Sequence, residues 1–214
     1  MEALSILIMA SGILSLFCLV VLHFVSPQYQ AGWRMVSEYA YGKHKWILTA
    51  FFILWGLSSL FTYALLWNIV TNNWALLGVI LIFVSGVGAI MGGLFDVQHK
   101  LHGLSFLLGV PSLPIGALLV AYHLINLEKW STYKSSILWS THSIWISLLL
   151  MAFSMMAMFS SFKKAGIAWD KDATPPDHLP DGVIAYGGYA NRLLVVCYIG
   201  WLILIAKIYY SIAV

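Results

Sequence analysis

The sequence predicts an all-α, polytopic integral membrane protein, folded as a six-transmembrane-helix bundle, on three observations. The 214 residues are 61% hydrophobic and only 9% charged, whereas soluble globular chains have roughly a quarter of their residues charged. Six apolar runs each approach or exceed the roughly 20 residues that cross a bilayer, and a lipid-exposed backbone must satisfy its own polar groups as a helix. No segment between the runs suits a soluble domain, so we expect one domain over residues 1–214.

The predicted helices are bounded by local signals in the chain. After the first helix, Pro27 and Gly32 break any helix, and the Trp- and Tyr-rich segment that follows favours the headgroup level of the membrane. Thr71-Asn-Asn73 forms a tight turn between the second and third helices. The expected helices cover residues 3–25, 46–70, 74–95, 102–124, 136–160 and 190–212.

Two helices carry residues that affect packing. Gly88 and Gly92 of the third helix form a G-x-x-x-G pair, which allows close helix approach, and this pair could join a homo-oligomer. Pro111 and Pro114 in the fourth helix should kink it and free backbone carbonyls.

Charge is low and unevenly distributed. The formal net charge of +3 and the lack of a basic arm argue against nucleic acid as a partner. Of the 11 lysines and arginines, eight fall in or beside the connections after the first, third and fifth helices and three fall on the opposite side. The positive-inside rule then predicts that these connections are cytoplasmic. We call this end of the bundle the odd-loop end.

Polar side chains that could carry chemistry also collect at the odd-loop end. Ionisable groups near hydrocarbon are costly, so each is a candidate site residue. The set comprises His23, Ser26, Tyr29, Arg34, Ser37, Glu38, His44, Asp96, His99, His102, His178 and Arg192.

Asp96, His99 and His102 could form a metal half-site. If their turn is helical, positions i, i+3 and i+6 share one side of the helix, and imidazole and carboxylate ligands suit catalytic zinc, which lowers the pKa of its bound water. The alternative is that all three are solvated at the headgroup level.

Ser37 and Glu38 could supply a nucleophile and an orienting acid, or Ser37 could cap an interfacial helix. Arg192 opens the last helix, where a cation does not complement the helix dipole. We therefore expect it to have a partner, either Glu38, Asp96 or a lipid phosphate. A simple interfacial anchor is the alternative.

His123 and His142 lie at the opposite end of the bundle and raise a haem hypothesis, since histidine can be an axial ligand of haem iron. No C-x-x-C-H attachment motif occurs. Interfacial histidines are the simpler interpretation.

Several short motifs are distributed over most of the chain: His23-Phe-Val-Ser-Pro-Gln-Tyr29, Arg34-Met-Val-Ser-Glu-Tyr39, Phe95-Asp96, His102-Gly103, Asn191-Arg192 and Trp201. On these motifs the chain resembles the prokaryotic six-helix membrane family catalogued as domain of unknown function family 998. The resemblance implies a prokaryotic cell (inner) membrane and a distant similarity to the Frag/DRAM group, which includes a factor for lipid remodelling of GPI anchors. It also implies that the family motif falls on Ser26, Pro27, Tyr29, Ser37, Glu38, Asp96, His102 and Arg192.

These observations favour a protein that binds a membrane lipid or acts on its headgroup as a hydrolase or transferase. Asp96, His102, Ser37 and Glu38 would be catalytic, Arg192, Tyr29, Ser26 and Arg34 would bind the ligand, and the acidic connection 165–189 would be a lid. The alternatives are a small-molecule or ion transporter, suggested by the proline-containing helix, and a non-catalytic membrane-complex subunit.

Overall fold

The structure, a computed structural model, describes residues 2–167, 176 and 178–213. The described chain is helical, with no strand in it. Its elements are α1 (Glu2–Val25), a 3-10 helix (Val36–Tyr41), α2 (Lys45–Leu66), α3 (Asn73–Leu94), α4 (His102–Leu124), α5 (Glu128–Ser131), α6 (Lys134–Lys164) and α7 (Gly187–Ala213).

All of the α-helices except the single-turn α5 are long and apolar enough to cross a membrane. The predicted all-α, six-helix membrane bundle is therefore confirmed, and the protein is a multi-pass membrane protein. Differences from the predicted bounds are local. Helix α2 ends four residues earlier than predicted, and Asn72 caps α3 by accepting a hydrogen bond from Ala75 N at 2.7 Å. Helix α6 continues to Lys164, because two terminal lysines complement the negative end of the helix dipole.

The spanning helices pack in sequence order around the bundle. Each contacts the next one along the chain, and α7 closes the ring by packing on α1 and touching α2. The odd-loop end therefore brings together the C-termini of α1, α3 and α6 with the N-termini of α2, α4 and α7. This arrangement gathers the polar ends of six helices around one region.

Helices α3 and α4 approach most closely at a pair of glycines. A Cβ atom on Gly88 would clash with the backbone of Gly109, and Ser85 Oγ donates to the Gly109 carbonyl at 2.9 Å. Gly92 differs, because a Cβ there would make ordinary contacts of 3.7 Å with Phe52 and 3.8 Å with Ser105 Oγ. Both glycines of the G-x-x-x-G pair are buried inside the chain, so a second copy has no access to them. The predicted homo-oligomer itself stays a prediction.

The prolines of α4 leave a carbonyl that a neighbouring helix satisfies. Pro114 has no N–H to donate to the carbonyl of Val110, four residues earlier. The hydroxyl of Tyr198 on α7 donates to that Val110 oxygen at 2.6 Å. The prediction that a proline frees a carbonyl is confirmed at this position, and the freed group joins α4 to α7.

The connection between α6 and α7 is described only in part. Residues 168–175 and 177, which include Asp170, Asp172 and Asp177 of the predicted acidic lid, lie outside the described residues. Near α7, Val183 and Ala185 are buried against α6, and Ile184 N donates to Ser161 Oγ at 2.8 Å.

We predict that Tyr198→Phe destabilises the protein by about 1–3 kcal/mol, because the Val110 carbonyl loses its donor inside the bundle. Thermal unfolding in one detergent measures this. In a Pro114→Ala background the backbone N–H at position 114 is restored, so the cost of Tyr198→Phe should shrink clearly. An equal cost in both backgrounds would contradict the assigned contact.

Candidate functional site

Arg192 holds the odd-loop end together. The residue lies on the second turn of α7, and the two hydrogens of its Nη1 are shared among three carbonyl oxygens: Ala31 at 3.2 Å, Arg34 at 2.6 Å and Gly188 at 3.0 Å. Gly188 lies so close to this loop that a Cβ on it would be only 2.7 Å from the Arg34 oxygen. The loop after α1 is therefore fastened to the start of α7 by one guanidinium group.

The same guanidinium also reaches α1 and the 3-10 helix. Its Nε donates to His23 Nε2 at 2.7 Å, and Nη2 donates to the Tyr39 hydroxyl at 3.3 Å. His23 Nδ1 lies 2.6 Å from the Leu19 carbonyl. A carbonyl only accepts, so the ring carries its proton on Nδ1 and presents a bare Nε2 to Arg192. Arg192 does have partners, as expected, but in the described chain they are backbone carbonyls, a histidine and a tyrosine rather than Glu38 or Asp96.

Glu38 pairs with Arg34 inside this end of the bundle. Arg34 Nη1 lies 3.5 Å from Glu38 Oε2, and Met35 N donates to the same oxygen at 3.2 Å. Burial raises the pKa of the Glu38 carboxyl above its ordinary value, while the charges of Arg34 and Arg192 and the Met35 N–H oppose that rise. With Glu38 ionised, two guanidinium groups face one carboxylate, which leaves one positive charge in excess.

Tyr29 and Ser26 support this network. The ring of Tyr29 packs against Tyr39 with centroids 5.3 Å apart, and the guanidinium of Arg34 lies over it at 5.7 Å and over Trp33 at 4.5 Å. Ser26 is buried, and its carbonyl accepts from Tyr29 N at 3.1 Å. We refer to Arg34, Glu38 and Arg192 with His23 and Tyr39 as the arginine network.

Asp96 lies in the turn between α3 and α4 and has its own partner. It pairs with Lys45 at the start of α2, and its Oδ1 accepts from Gln98 N at 3.0 Å. The hydrogen bond from Lys45 is the main reason that the pKa of the Asp96 carboxyl lies below its ordinary value, and the Gln98 N–H and the charge of Lys45 add to the effect. Asp96 thus ties the turn between α3 and α4 to α2.

His102 is oriented by the same turn. Its Nδ1 donates to the Phe95 carbonyl at 2.9 Å, which leaves the lone pair on Nε2 free in the neutral ring. His99 is exposed, stacks on Phe95 at 4.6 Å between centroids, and accepts from Leu101 N through Nδ1 at 3.1 Å. The imidazole of His102 therefore donates to the backbone of the turn, whereas that of His99 accepts from it.

The turn from Asp96 to Leu101 is not helical, so the positions i, i+3 and i+6 do not share one face. Within the part of the chain that the structure describes, no group of three His, Cys, Asp or Glu side chains is placed to hold a metal ion. In contrast to the prediction, Asp96, His99 and His102 are not brought together as a zinc half-site.

A cavity of about 210 Å³ opens below the arginine network, between the 3-10 helix and the helices α2, α3, α4, α6 and α7. Among the described residues, its polar lining consists of Ser37, His102, Ser105, Asn191 and Trp55, and the other lining residues are apolar. Of the predicted catalytic and ligand-binding residues, only Ser37 and His102 line it. No hydrogen bond joins these two within the described residues.

Sequence reasoning missed three polar residues of this cavity: Ser105, whose Oγ donates to the His102 carbonyl at 2.6 Å, Asn191 and Trp55. Asn191 bonds the 3-10 helix through its Oδ1, which accepts from Val36 N at 2.9 Å, and its place beside Arg192 in the motif was the available signal. Trp55 lies within an unbroken apolar run, where nothing in the sequence distinguishes a cavity-lining tryptophan from a packed one.

The histidines of the haem hypothesis are placed differently from axial ligands. Both ring nitrogens of His123 contact the turn between α2 and α3: Asn72 Nδ2 lies 2.7 Å from Nδ1, and Thr71 N lies 3.4 Å from Nε2. His142 lines a separate groove of about 760 Å³ beside Tyr122. The arrangement does not favour a haem held between His123 and His142.

The profile of the family described as "Protein of unknown function (DUF998)" matches residues 9–207. No curated protein matches the chain, and no solved structure matches it. The matched range begins within α1, ends within α7 and includes every candidate site residue.

We predict that Asp96→Asn lowers the midpoint of thermal unfolding at neutral pH. The folded-state pKa of Asp96 is depressed, so its ionised form contributes stability above the ordinary aspartate pKa of about 3.9, and this contribution is lost as pH falls through and below that value. The difference between wild type and Asp96→Asn should therefore shrink on acidification. A difference that is constant with pH would contradict the Asp96–Lys45 pairing as its source.

Proposed function

The chain belongs to the DUF998 family, and we propose that it is a prokaryotic cell-membrane protein that binds the polar head of a membrane lipid in the cavity at its odd-loop end. One observation carries the proposal. His102 lines that cavity with its Nδ1 fixed on the Phe95 carbonyl, so Nε2 is an oriented proton acceptor in a largely apolar site. Sites for small ligands commonly have this composition, with apolar walls and a few placed polar groups.

The electrostatics of the odd-loop end favour an anionic or oxygen-rich head. The arginine network carries one positive charge in excess with Glu38 ionised and two with Glu38 neutral, next to the 3-10 helix that forms the cavity wall. Arg192 itself donates to protein groups, so its role is to hold the wall and contribute charge rather than to grip the headgroup directly. Its neighbour Asn191 reaches the cavity in its place.

The arrangement supports hydrolysis or transfer of an acyl or phosphoryl group. His102 Nε2 would take the proton from water, or from the Ser37 hydroxyl, as that oxygen attacks the carbonyl carbon or the phosphorus. The same proton would then pass from His102 to the oxygen of the leaving group as its bond breaks. Asp96 and Glu38 would position the wall of the cavity rather than react, since each is already paired with a cation.

The two alternative functions have less support. The proline-containing helix motivated a transporter, and the Val110 carbonyl that Pro114 frees in it is satisfied by Tyr198. The glycine face that motivated a complex subunit is covered by α4. Both alternatives stay predictions.

The test uses His102→Asn, because the asparagine amide can still donate to the Phe95 carbonyl while Nε2 is lost. Purified protein is mixed with vesicles of phosphatidylglycerol and phosphatidylethanolamine, and bound lipids and released products are measured by mass spectrometry. We expect turnover to fall at least about a hundredfold, which is typical for loss of a general base. If the protein only binds lipid, the amount bound should fall instead.

His99→Asn is the matched control, because His99 lies in the same turn, is exposed and does not line the cavity. It should behave as wild type. Equal lipid binding and turnover in wild type and His102→Asn would contradict the proposal, as would a wild-type protein that neither binds nor converts lipid.

A further inference from the structure

Trp55 is a wall residue of the cavity and carries an unpaired hydrogen-bond donor. The side chain is only 7% exposed, and its indole Nε1–H is buried with no hydrogen-bond partner within the described residues. Buried polar groups almost always have a partner, and one without a partner calls for an explanation. Because Trp55 lines the cavity, a rotation of the indole that turns this N–H into the cavity would let an acceptor atom of a ligand satisfy it.

Trp55 lies deeper in the membrane than the other polar groups of the cavity. Ten residues separate it from Lys45 at the start of α2, a helical rise of about 15 Å. His102 opens α4, Ser37 lies in the 3-10 helix, and Asn191 lies on the second turn of α7. The cavity therefore has a polar mouth at the odd-loop end, and Trp55 lies in its wall closer to the middle of the membrane.

Asn191 adds a second donor at the mouth. Its Oδ1 is occupied by Val36 N, so its amide hydrogens face the opposite way, and the contact found there is with Met151 Sδ at 3.6 Å. A thioether is a weak acceptor. An oxygen of a ligand would be a better partner for this amide.

The remainder of the cavity suits an acyl chain. No Asp, Glu, Lys or Arg is found among the described residues that line it, and Met35, Met151 and Met155 are flexible apolar side chains that adapt to an irregular ligand. Phe106 on α4 belongs to the same wall and is 54% exposed on the bilayer-facing surface. A chain could thus reach the bilayer past Phe106, between α4 and α6.

We propose that the bound lipid is an acyl ester whose carbonyl oxygen accepts a hydrogen bond from Trp55 Nε1, while its polar head lies at the mouth with His102 and Asn191. This inference rests on the proposed lipid-binding function and names the chemical class of the lipid. A neutral ester fits better than a free carboxylate, because the lining provides no cation. The ester group also lies below the head of a glycerolipid, as Trp55 lies below the mouth.

The test compares two lipids that differ only in this carbonyl. Dipalmitoyl phosphatidylglycerol and its dialkyl ether analogue have the same head and chain length, but the ether lacks the acceptor. Affinities are measured by native mass spectrometry of the detergent-purified full chain, for wild type and for Trp55→Phe, which keeps an aromatic ring and removes the N–H. Wild type should bind the ester lipid about three- to tenfold more tightly than the ether lipid, and Trp55→Phe should abolish this preference by weakening ester binding alone.

Two further variants are controls for the lipid-binding experiment. Gly92→Leu should block both lipids, because its Cβ fits and the rest of the side chain then occupies the cavity. Trp139→Phe, a lipid-facing residue of α6 that is 73% exposed, should match wild type. The unfolding midpoint of each variant verifies folding.

The outcomes separate this inference from the function on which it rests. Equal binding of the ester and ether lipids by wild type would overturn the role of Trp55 and leave headgroup binding intact. An ester preference that survives Trp55→Phe would also overturn it. Binding of neither lipid by wild type would contradict the proposed function as well.

Discussion

The guanidinium of Arg192 is the contact on which the polar end of the molecule depends. It donates to the loop after α1, to the 3-10 helix, to a histidine on α1 and to the first turn of its own helix. Only arginine offers five donors in one rigid plane, and a lysine could not reach these acceptors together. Five buried or partly buried acceptors with fixed positions explain why the cation occupies the start of a helix, where the dipole opposes it.

This clamp also shapes the cavity. It holds Val36 and Ser37 against α7, where Asn191 bonds the Val36 N–H. The 3-10 helix thereby becomes the upper wall of a space that the other helices leave open. His102 closes the opposite side of the mouth, in an orientation set by a backbone carbonyl. Structural hydrogen bonds of the odd-loop end thus position the few polar groups that face a ligand.

The sequence was sufficient for the fold and for the gathering of polar residues at the odd-loop end. In lipid, an apolar run of spanning length can satisfy its backbone polar groups only as a helix. Polar residues are costly in lipid and therefore occur where helices end. The nature of the lipid solvent thus explains both the helices and the position of the polar residues. The role of each polar residue at the odd-loop end was not predictable, because the roles of Arg192, Glu38 and Asp96 depend on which residues they contact in the folded chain. Asp96 could be a ligand, a base or a turn residue by sequence, and its pairing with Lys45 depends on how α2 meets α3.

The zinc prediction failed to match the structure for a local reason. It assumed that the turn from Asp96 to His102 continues a helix, whereas the chain there makes separate turns and each side chain bonds a different group. Trp55 was missed for a different reason. It is of interest because its Nε1–H has no hydrogen-bond partner within the described residues. A missing hydrogen bond has no sequence signal.

The central claim is that Arg192 holds the wall of the cavity in place, and hydrogen–deuterium exchange of Arg192→Lys measures this most directly. We expect faster exchange of the backbone amides over residues 31–39 than in wild type, with the turn between α2 and α3 at the opposite end unchanged. Lys207→Met, near the far end of α7, should leave both regions unchanged. Unaltered exchange over residues 31–39 in Arg192→Lys would contradict the account.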